Sequence, residues 1–288
     1  MPSLKDLRRR IRTVKNTQLI TRAMRSVAAS KMRRTHERRD KARPYVERLQ
    51  QLVANLVNSV GSEGQPLLEN REVKKRLMVV FSSDRGLCGA FNNTISRYAI
   101  DRAKAVENGT FYIVGKRAAS AIRRQGFPIC KSYEDFSGNV DVPRVLEIAR
   151  ELRDLFLSGE YDAVELVCNR AISAMNYRPH HELLLPLKQD ELAPSSGGAS
   201  APIDYIFEPD PLTLLKQLLP KFLETKLLFT FVDAFAAEHQ ARMMAMAAAN
   251  TNCRELIDTL TLDMNKARQT SITTEILEIV SGANALSG

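Results

Sequence analysis

The fold is decided near the amino terminus, where residues 4–27 read LKDLRRRIRTVKNTQLITRAMRSV. The first apolar residues of this stretch are separated by three, four and three positions, which is the spacing of a coiled-coil seam. They are Leu4, Leu7, Ile11 and Val14. We expect the apolar stripe to resume with Ile20, Met24 and Val27 and, after a gap, to continue with Met32. The pattern predicts a long amphipathic helix that turns one face to a partner.

This helix is predicted to run from Ser3 to about Ser59, because no glycine interrupts the span and Pro44 is its only proline. A second apolar run follows the proline and comprises Tyr45, Leu49, Leu52 and Leu56. The segment from Gly61 to Pro66 is typical of a helix stop. A helix of roughly 55 residues spans on the order of 80 Å. Since an isolated helix takes most of its stability from packing, a partner helix of similar length is required.

The partner is predicted at the other end of the chain. Asp210 and Pro211 are an N-cap residue followed by proline at the first helical position, and the next glycine is Gly282. We expect Pro220 to divide this segment into a short helix and a long one. The stretch from Ala236 to Asn250 is rich in alanine and methionine, which suits a close and uneven helix contact. A coiled-coil seam is then predicted through Cys253, Leu256, Leu260, Met264 and Ala267.

Between the two helices, strand-like and helix-like segments alternate. Short apolar runs predict strands at residues 76–82, 111–115 and 161–168. Helical periodicity is found at residues 93–106, 116–125 and 142–157. Two later strands, 182–187 and 203–208, are predicted on either side of a loop at 193–202 that is rich in Gly, Ser and Pro. The alternation favours a mostly parallel sheet covered by helices.

The predicted fold class is therefore α/β, with a long antiparallel coiled coil of the N- and C-terminal helices and a central Rossmann-like α/β domain that has a mostly parallel sheet. We place the N-terminal coiled-coil helix at residues 1–60, the globular α/β domain at 61–207 and the C-terminal coiled-coil helix at 208–288. The net charge of +9 follows this division, because the first segment has 16 Lys and Arg against 4 Asp and Glu, a net of +12. The middle segment is neutral, and the last has a net of −3. The opposite charges favour pairing of the terminal helices.

The basic excess includes a dense stretch from Arg33 to Arg43, with seven basic residues when His36 is counted. Two interpretations compete, namely a stripe that binds nucleic acid and a solvated face that meets an acidic protein or lipid surface. Proteins that bind nucleic acid tend to carry aromatic residues or a reading motif, and neither is found here. A basic coiled-coil protein that binds nucleic acid remains the alternative hypothesis for function.

No catalytic, cofactor or metal site is predicted. The turn at residues 82–92 follows a strand and precedes a helix, but its glycines match neither GxGxxG nor GxxxxGK[ST]. Cys88 in this turn is interpreted as a buried, inert thiol rather than a nucleophile. His180 and His181 point to opposite faces of a strand, which argues against a shared metal ion. An α/β enzyme with an unrecognised site is the third hypothesis.

The remaining features indicate a cytosolic compartment. The four cysteines lie far apart without a CxxC pair, so reduced thiols are expected. No apolar run approaches the roughly 18 residues of a membrane-spanning helix. The basic residues 8–10 have no apolar segment behind them, so no secretory signal is predicted.

Four segments resemble signatures of the gamma subunit of F-type ATP synthases. Residues 20–32 read ITRAMRSVAASKM, and residues 265–285 read NKARQTSITTEILEIVSGANA. Residues 83–92, SDRGLCGAFN, and residues 238–246, EHQARMMAM, are similar to two further family segments. The likeness runs in order along the whole chain, so the chain is identified as a member of this family.

The resemblance implies a central rotor. In this family the terminal helices form a coiled-coil shaft inside a ring of three alpha and three beta subunits. The α/β part lies beside the epsilon subunit and on the c-ring of the membrane sector. Proton flow turns the c-ring and the shaft, which drives the beta sites through different nucleotide affinities for ATP synthesis or hydrolysis. The resemblance implies that gamma itself is not catalytic and binds no cofactor or nucleic acid.

The resemblance also implies roles for individual residues. Met24 and Arg25 correspond to the part of the shaft that faces the moving lobe of beta. Arg33 and Arg34 lie in the basic stretch expected to meet an acidic loop of beta. Arg268 and Gln269 correspond to polar contacts that latch onto beta loops. The tip that turns in an apolar sleeve is implied to comprise Ile276, Leu277, Ile279 and Val280.

Location and regulation are implied in the same way. The chain is expected at the cytoplasmic face of the bacterial inner membrane as a peripheral protein that is attached only through the complex. The chloroplast relatives carry an insert with two close cysteines in the middle segment, and this sequence has nothing similar. Thiol control is therefore not expected.

Overall fold

The structure, a computed structural model, describes residues 3–61, 64–106, 109–136, 140–173, 176–188 and 207–287. The helices are α1 (Leu4–Val60), α2 (Phe91–Lys104), α3 (Lys116–Arg123), α4 (Val142–Leu157) and α5 (Pro211–Ser287). The strands are β1 (Arg76–Phe81), β2 (Gly109–Val114), β3 (Ile129–Tyr133), β4 (Ala163–Ser173) and β5 (Asn176–Leu185). Residues 28–242 form one compact unit, and the described residues before and after it form the other.

Both long helices begin with a side-chain cap. The backbone N–H of Asp6 donates to Ser3 Oγ at 3.2 Å at the start of α1. At the start of α5, the backbone N–H of Thr213 donates to Asp210 Oδ2 at 3.0 Å, and this bond lowers the pKa of that carboxyl group. The predicted N-cap at Asp210 is confirmed. Each cap satisfies one of the free amide groups of a helix start.

The prediction that Pro220 divides the second helix is wrong, since α5 continues through it as one helix of 77 residues. Proline removes one backbone hydrogen bond from the helix. The neighbouring side chains explain why the helix nevertheless continues, because Leu219, Phe222 and Leu223 are buried in the core on both sides of the proline. Their packing holds the backbone in helical conformation.

Among the described residues, the sheet has five strands in the order β3-β2-β1-β4-β5. The first four strands are parallel to their neighbours, and β5 is antiparallel to β4. The predicted mostly parallel sheet is therefore confirmed, and α4 has the predicted bounds. Strand β3 was not predicted. The strand predicted at 203–208 lies outside the described residues except for Phe207 and Glu208, which are not in a strand.

Two apolar cores lie on opposite faces of the sheet. The smaller core includes Ile95 of α2, Ala118 and Ile122 of α3, and the strand residues Met78 and Val80. The larger core joins the other sheet face to α4 and to the sections of α1 and α5 within residues 28–242. From α1 it includes Leu49, Val53, Leu56 and Val57, and from α5 it includes Leu215, Leu219, Leu227 and Phe231. These sections of α1 and α5 pack as part of the α/β unit.

The second predicted apolar run on α1 is shifted in the structure. Tyr45 and Leu52 are exposed, whereas Leu49 and Leu56 are buried with Val53 between them. Positions 49, 53 and 56 are four and three residues apart, so they share one helix face. Tyr45 and Leu52 lie at the margin of that face, where the packing of the core leaves them exposed.

The remaining described residues form a two-helix unit of α1 and α5. The two helices are antiparallel, because Asn250 Nδ2 donates to Gln18 O at 3.2 Å, while Leu256 and Leu260 lie beside residues 6–14. The seam of α1 follows Leu4, Leu7, Ile11, Val14, Gln18, Thr21 and Met24, all buried or half-buried. The predicted seam positions Ile20 and Val27 are wrong, since they are 60% and 58% exposed.

The predicted seam of α5 is wrong at one of its five positions. Leu256 is 47% exposed, and Ile257 is half-buried in its place. The half-buried positions follow a spacing of four, three, four and three residues, which is the coiled-coil pattern. They are Cys253, Ile257, Leu260, Met264 and Ala267. The heptad phase, rather than the most apolar residues, decides which side chains face the partner helix.

Candidate partner-contact surfaces

The carboxyl edge of the parallel strands is where sheets of this type bind ligands. In this chain the edge is formed by the turn between β1 and α2, residues 82–90, and by the neighbouring end of β4. The strand order reverses direction on either side of β1, so this is the point of the sheet at which a nucleotide site is expected in a doubly wound fold.

The turn after β1 is held by its own polar side chains. Asn92 Oδ1 accepts from the backbone N–H of Ser83 at 3.0 Å, and Asn92 Nδ2 approaches Cys88 Sγ at 3.1 Å. Asp84 accepts from the backbone N–H groups of Lys116 and Phe136 at 3.1 and 2.8 Å. These bonds connect the turn to the segments that follow β2 and β3. Ser83, Asp84 and Asn92 are therefore engaged in the fold.

Helix α5 covers this edge of the sheet. Ala237 and Ala241 pack against Cys88 and Phe91 in one buried cluster. Phe235 lies with its ring centroid 6.2 Å from that of Phe136, and the cavity beside these rings measures only about 10 Å³. Because alanine has a single methyl group, the helix backbone can approach the sheet edge closely here. The space that a ligand needs is filled by the protein itself.

Arg242, which forms an ion pair within α5, also connects this helix to the turn. Arg242 Nη1 lies 2.8 Å from Glu238 Oε1, and both side chains are nearly buried. Arg242 Nη2 also donates to the backbone oxygens of Arg85 and Gly86 at 3.5 Å. Burial raises the pKa of Glu238, although the charge of Arg242 opposes the increase. One guanidinium group thus connects the helix to two carbonyls of the turn.

The chemically reactive side chains of this region are engaged in the fold. Cys88 is buried, and burial raises the pKa of its thiol, which opposes formation of a thiolate nucleophile. His181 lies opposite Val167 and His180 lies opposite Cys168 in the sheet register, so the two rings project to opposite faces as predicted. Tyr98 Oη lies 2.6 Å from His181 Nδ1. Among the described residues, no group of three His, Cys, Asp or Glu side chains has an arrangement that would hold a metal ion.

The residues predicted to contact beta near the amino terminus all lie on α1. Met24 is half-buried in the seam of the two-helix unit, and Arg25 next to it is exposed. Arg33 and Arg34 are exposed on the section of α1 that belongs to residues 28–242. The arginine side chains are thus available to a partner.

The residues predicted near the carboxyl terminus lie on the last turns of α5. Arg268 and Gln269 are adjacent and exposed. The four predicted tip residues are large, apolar and exposed, at 55% for Ile276, 60% for Leu277, 72% for Ile279 and 51% for Val280. Scattered apolar residues on a surface are ordinary, but four within five positions of one helix form a patch.

The two-helix unit has further exposed apolar residues, which were not predicted from the sequence to form a surface. They are Leu19, Ile20 and Val27 on α1, and Leu256, Leu262 and Ile272 on α5. The signal was present in the sequence, because these residues are apolar but lie outside the heptad positions of the seam. An apolar residue outside the seam of a two-helix unit is available to a third surface. Within the described residues, no helix has both the length and the apolar character that a membrane crossing requires.

The comparisons with known protein sequences agree with one another. The profile of the ATP synthase family matches residues 3–286. The chain is 40% identical over 286 residues to the ATP synthase gamma chain of Desulforamulus reducens, with 99% of this chain and 100% of the relative covered. It is 41% identical over 289 residues to the ATP synthase gamma chain of Moorella thermoacetica, with the same coverage.

Solved structures with a similar fold are also known. A chain in the structure of the central stalk and c-ring of the Tetrahymena thermophila mitochondrial ATP synthase has a TM-score of 0.61 and 26% identity. The match covers 80% of this chain and 99% of that chain. A chain of the Euglena gracilis mitochondrial ATP synthase in rotational state 3 has a TM-score of 0.67 and covers 98% of this chain and 94% of its own length. At 19% identity, the second likeness is one of fold.

Proposed function

Because the chain belongs to the family of ATP synthase gamma chains, we propose that it is the central rotor shaft of a proton-translocating F-type ATP synthase. The observation that carries the proposal is the two-helix unit of α1 and α5, whose outward surface is apolar at positions that its own seam does not use. A shaft that turns inside a protein ring needs such a surface. The family match along nearly the full chain supports the same function.

The shaft couples rotation to chemistry through its asymmetry. The two helices differ in their exposed side chains, so each angle of rotation presents a different surface to each beta subunit. Contacts that are stronger in one conformation of beta than in another shift the population of that conformation. Rotation by the c-ring then moves the beta sites in turn through their nucleotide affinities, and ATP hydrolysis drives the reverse motion.

Gamma is proposed to be a non-catalytic subunit of the complex. The support is the covered edge of the sheet, where Ala237 and Ala241 fill the place that a nucleotide occupies in other doubly wound folds. Asp84 and Asn92, which are polar residues of the adjoining turn, bond to backbone groups of the fold. The chemistry is therefore assigned to the beta subunits.

The contact residues are proposed by their position on the shaft. Arg25, Arg33 and Arg34 are exposed basic groups on α1, which suits an acidic loop of beta. Arg268 and Gln269 are exposed side by side and are proposed to donate hydrogen bonds to beta loops. Apart from Glu278, the tip residues 276–280 present an apolar and uncharged surface, which slides in an apolar sleeve without strong trapping at one angle.

The partners and location follow from this function. We propose alpha and beta subunits around the two-helix unit, and an epsilon subunit and a c-ring beside the α/β part. The proposed location is the cytoplasmic face of the bacterial inner membrane, which is supported by the bacterial sources of the two relatives compared above. The chain would be attached to the membrane only through the complex.

Reconstitution tests the proposed function. The full-length chain is added to cognate alpha and beta subunits, and ATP hydrolysis is measured together with rotation of a probe fixed to the α/β part. We expect a stable complex that hydrolyses ATP and turns the probe. A variant with α5 ended after Met264 serves as the comparison and should assemble poorly. Failure of the full-length chain to form an active complex with cognate subunits would contradict the proposal.

A further inference from the structure

A polar cleft opens in the part of the molecule formed by residues 28–242, beside the end of β4. Its volume is about 480 Å³, which lies within the range of small-molecule sites. One wall is α1, a second is the end of β4, and a third is α5. The lining side chains include Arg39, Arg43, Val46, Glu47, Arg170, Phe229 and Asp233.

The acidic groups of the cleft are already paired with arginines of α1. Arg39 Nη1 lies 3.4 Å from Asp233 Oδ1, and Arg43 Nε lies 2.8 Å from Glu47 Oε1. Arg170 is exposed, and in the described part of the chain no carboxylate lies within ion-pairing distance of it. Within the described segments, the cleft therefore has one cationic group without a carboxylate partner.

A second arginine, which is not among the residues that line the cleft, lies directly across the sheet from Arg170. Arg170 of β4 is the register partner of Arg178 of β5, and Arg178 is also exposed and without a carboxylate partner among the described residues. Directly opposite residues share one face, with Cβ atoms about 4.5–5.5 Å apart. Cys168, two residues before Arg170, belongs to the larger core, so both arginines project from the face of the sheet where α1 and α5 pack.

The facing pair of arginines is unfavourable for the stability of the fold. Like charges directly opposite each other in a sheet are destabilising, and the stretch from Arg33 to Arg43 adds further positive charge on α1. A repulsion of this kind, which the described residues do not offset, is expected at a functional site. Two guanidinium groups side by side form a rigid set of donors that matches the oxygens of a phosphate group.

We propose that this cleft binds a small phosphate-bearing metabolite, whose phosphate lies between Arg170 and Arg178 and whose apolar portion rests on Val46, Ala171 and Phe229. The charge agrees, because a phosphate monoester carries about −1.5 to −2 near pH 7, and the two arginines carry two positive charges. The apolar side chains lie at the same cleft.

Titration calorimetry of the full-length chain tests the proposal. The probes are AMP, pyrophosphate and adenosine, which separate the phosphate from the apolar portion. We expect AMP to bind at one site per chain with a dissociation constant below about 1 mM, pyrophosphate to bind more weakly, and adenosine not to bind. Affinity should fall as salt is raised, since exposed charges are screened.

Two variants identify the site. Arg170→Gln and Arg178→Gln should each weaken AMP binding about tenfold or more, as the loss of a charged hydrogen bond implies. Each should also raise the unfolding midpoint by about 1–3 °C, because the repulsion is relieved. Arg97→Gln, which changes an exposed arginine of α2, should alter neither quantity. Absence of AMP binding to the unaltered chain at 10 mM, or equal binding by all variants, would overturn the proposal.

Discussion

At the scale of single residues, two positions depend closely on the identity of their residue. One depends on it for its backbone conformation, and the other for its charge. Gly115, between β2 and α3, has a φ of +101°, and a Cβ atom placed there would lie 2.1 Å from Ser82 O. Its backbone N–H donates to Tyr133 O at 2.8 Å, which joins β3 to the sheet. The glycine therefore allows a close approach between β1 and the end of β2 that a side chain would prevent.

Gly115→Ala is expected to destabilise the chain by about 3 kcal/mol or more, because strain at positive φ adds to the steric overlap. Gly126→Ala is the matched control, since φ there is +77° but nothing lies within 4 Å of the added Cβ. It should cost about 1–2 kcal/mol. Urea unfolding measures both free energies. Equal losses in the two variants would contradict the argument from close approach.

Glu165 is the second such residue. Its side chain is 4% exposed and pairs with Arg76 and Arg102, the latter at 3.0 Å. Burial raises the pKa of Glu165, but the hydrogen bonds and charges of the two arginines outweigh burial and hold the pKa below its ordinary value. Since the folded-state pKa lies below the unfolded value, the stabilisation is present above the unfolded pKa and is lost as pH falls through the folded pKa.

Glu165→Gln should therefore lower the free energy of unfolding by about 2–4 kcal/mol at pH 7, because two partly buried arginines lose their partner. The difference from the unaltered chain should shrink as pH falls below the ordinary glutamate range. Glu160→Gln, at an exposed position, should show little effect at any pH. The measurement is urea unfolding as a function of pH, and a constant difference down to acidic pH would contradict the assigned ion pair.

At the scale of elements, the sequence predicted which segments are helices and strands better than it predicted which face of a helix is buried. Strand β3 was missed because it lies at the sheet edge with Cys130 and Lys131 exposed, so it has no apolar run. The α1 seam was misplaced because the heptad phase places the polar residues Gln18 and Thr21 at the helix contact and leaves Ile20 outside. These outcomes depend on tertiary packing, which local patterns do not contain.

The alanines of α5 show how an element depends on small side chains. Ala241→Leu should destabilise the chain by about 1–3 kcal/mol, because Ala241 is 3% exposed in the cluster with Cys88 and Phe91. Leucine and alanine have similar helix propensities, so the effect reports packing. Ala248→Leu at an exposed position of the same helix is the control. Urea unfolding measures both, and a neutral Ala241→Leu variant would show that α5 is not tightly packed on the sheet edge.

At the scale of the whole molecule, the resemblance of four segments to one family predicted more than any pattern of the residues did. Charge alone left nucleic acid as an alternative, and the missing phosphate loop argued only against one class of enzyme. The positions of Arg268 and Gln269 at the surface agree with a latch, but the sequence of one chain does not contain the surface of its partner. Their role therefore stays a prediction.

The double change Arg268→Ala with Gln269→Ala tests that role in the assembled complex. Loss of their hydrogen bonds to beta should reduce ATP-driven proton pumping about tenfold or more. The fold should be intact, since both side chains are exposed. Lys216→Ala with Gln217→Ala changes a similar exposed pair on the same helix and should leave pumping unchanged. Unchanged pumping in the first double variant would remove the latch assignment.

The covering of the sheet by α5 also has a consequence for synthesis on the ribosome. The five strands that the structure describes are complete once residue 185 has been made. The larger core still lacks Leu227, Phe231 and Phe235, and the carboxyl edge still lacks Ala237 and Ala241. The nascent sheet must therefore wait with apolar surface uncovered until about 50 further residues emerge, at roughly 5–20 residues per second. Chaperones can bind the uncovered apolar surface of this chain during those seconds.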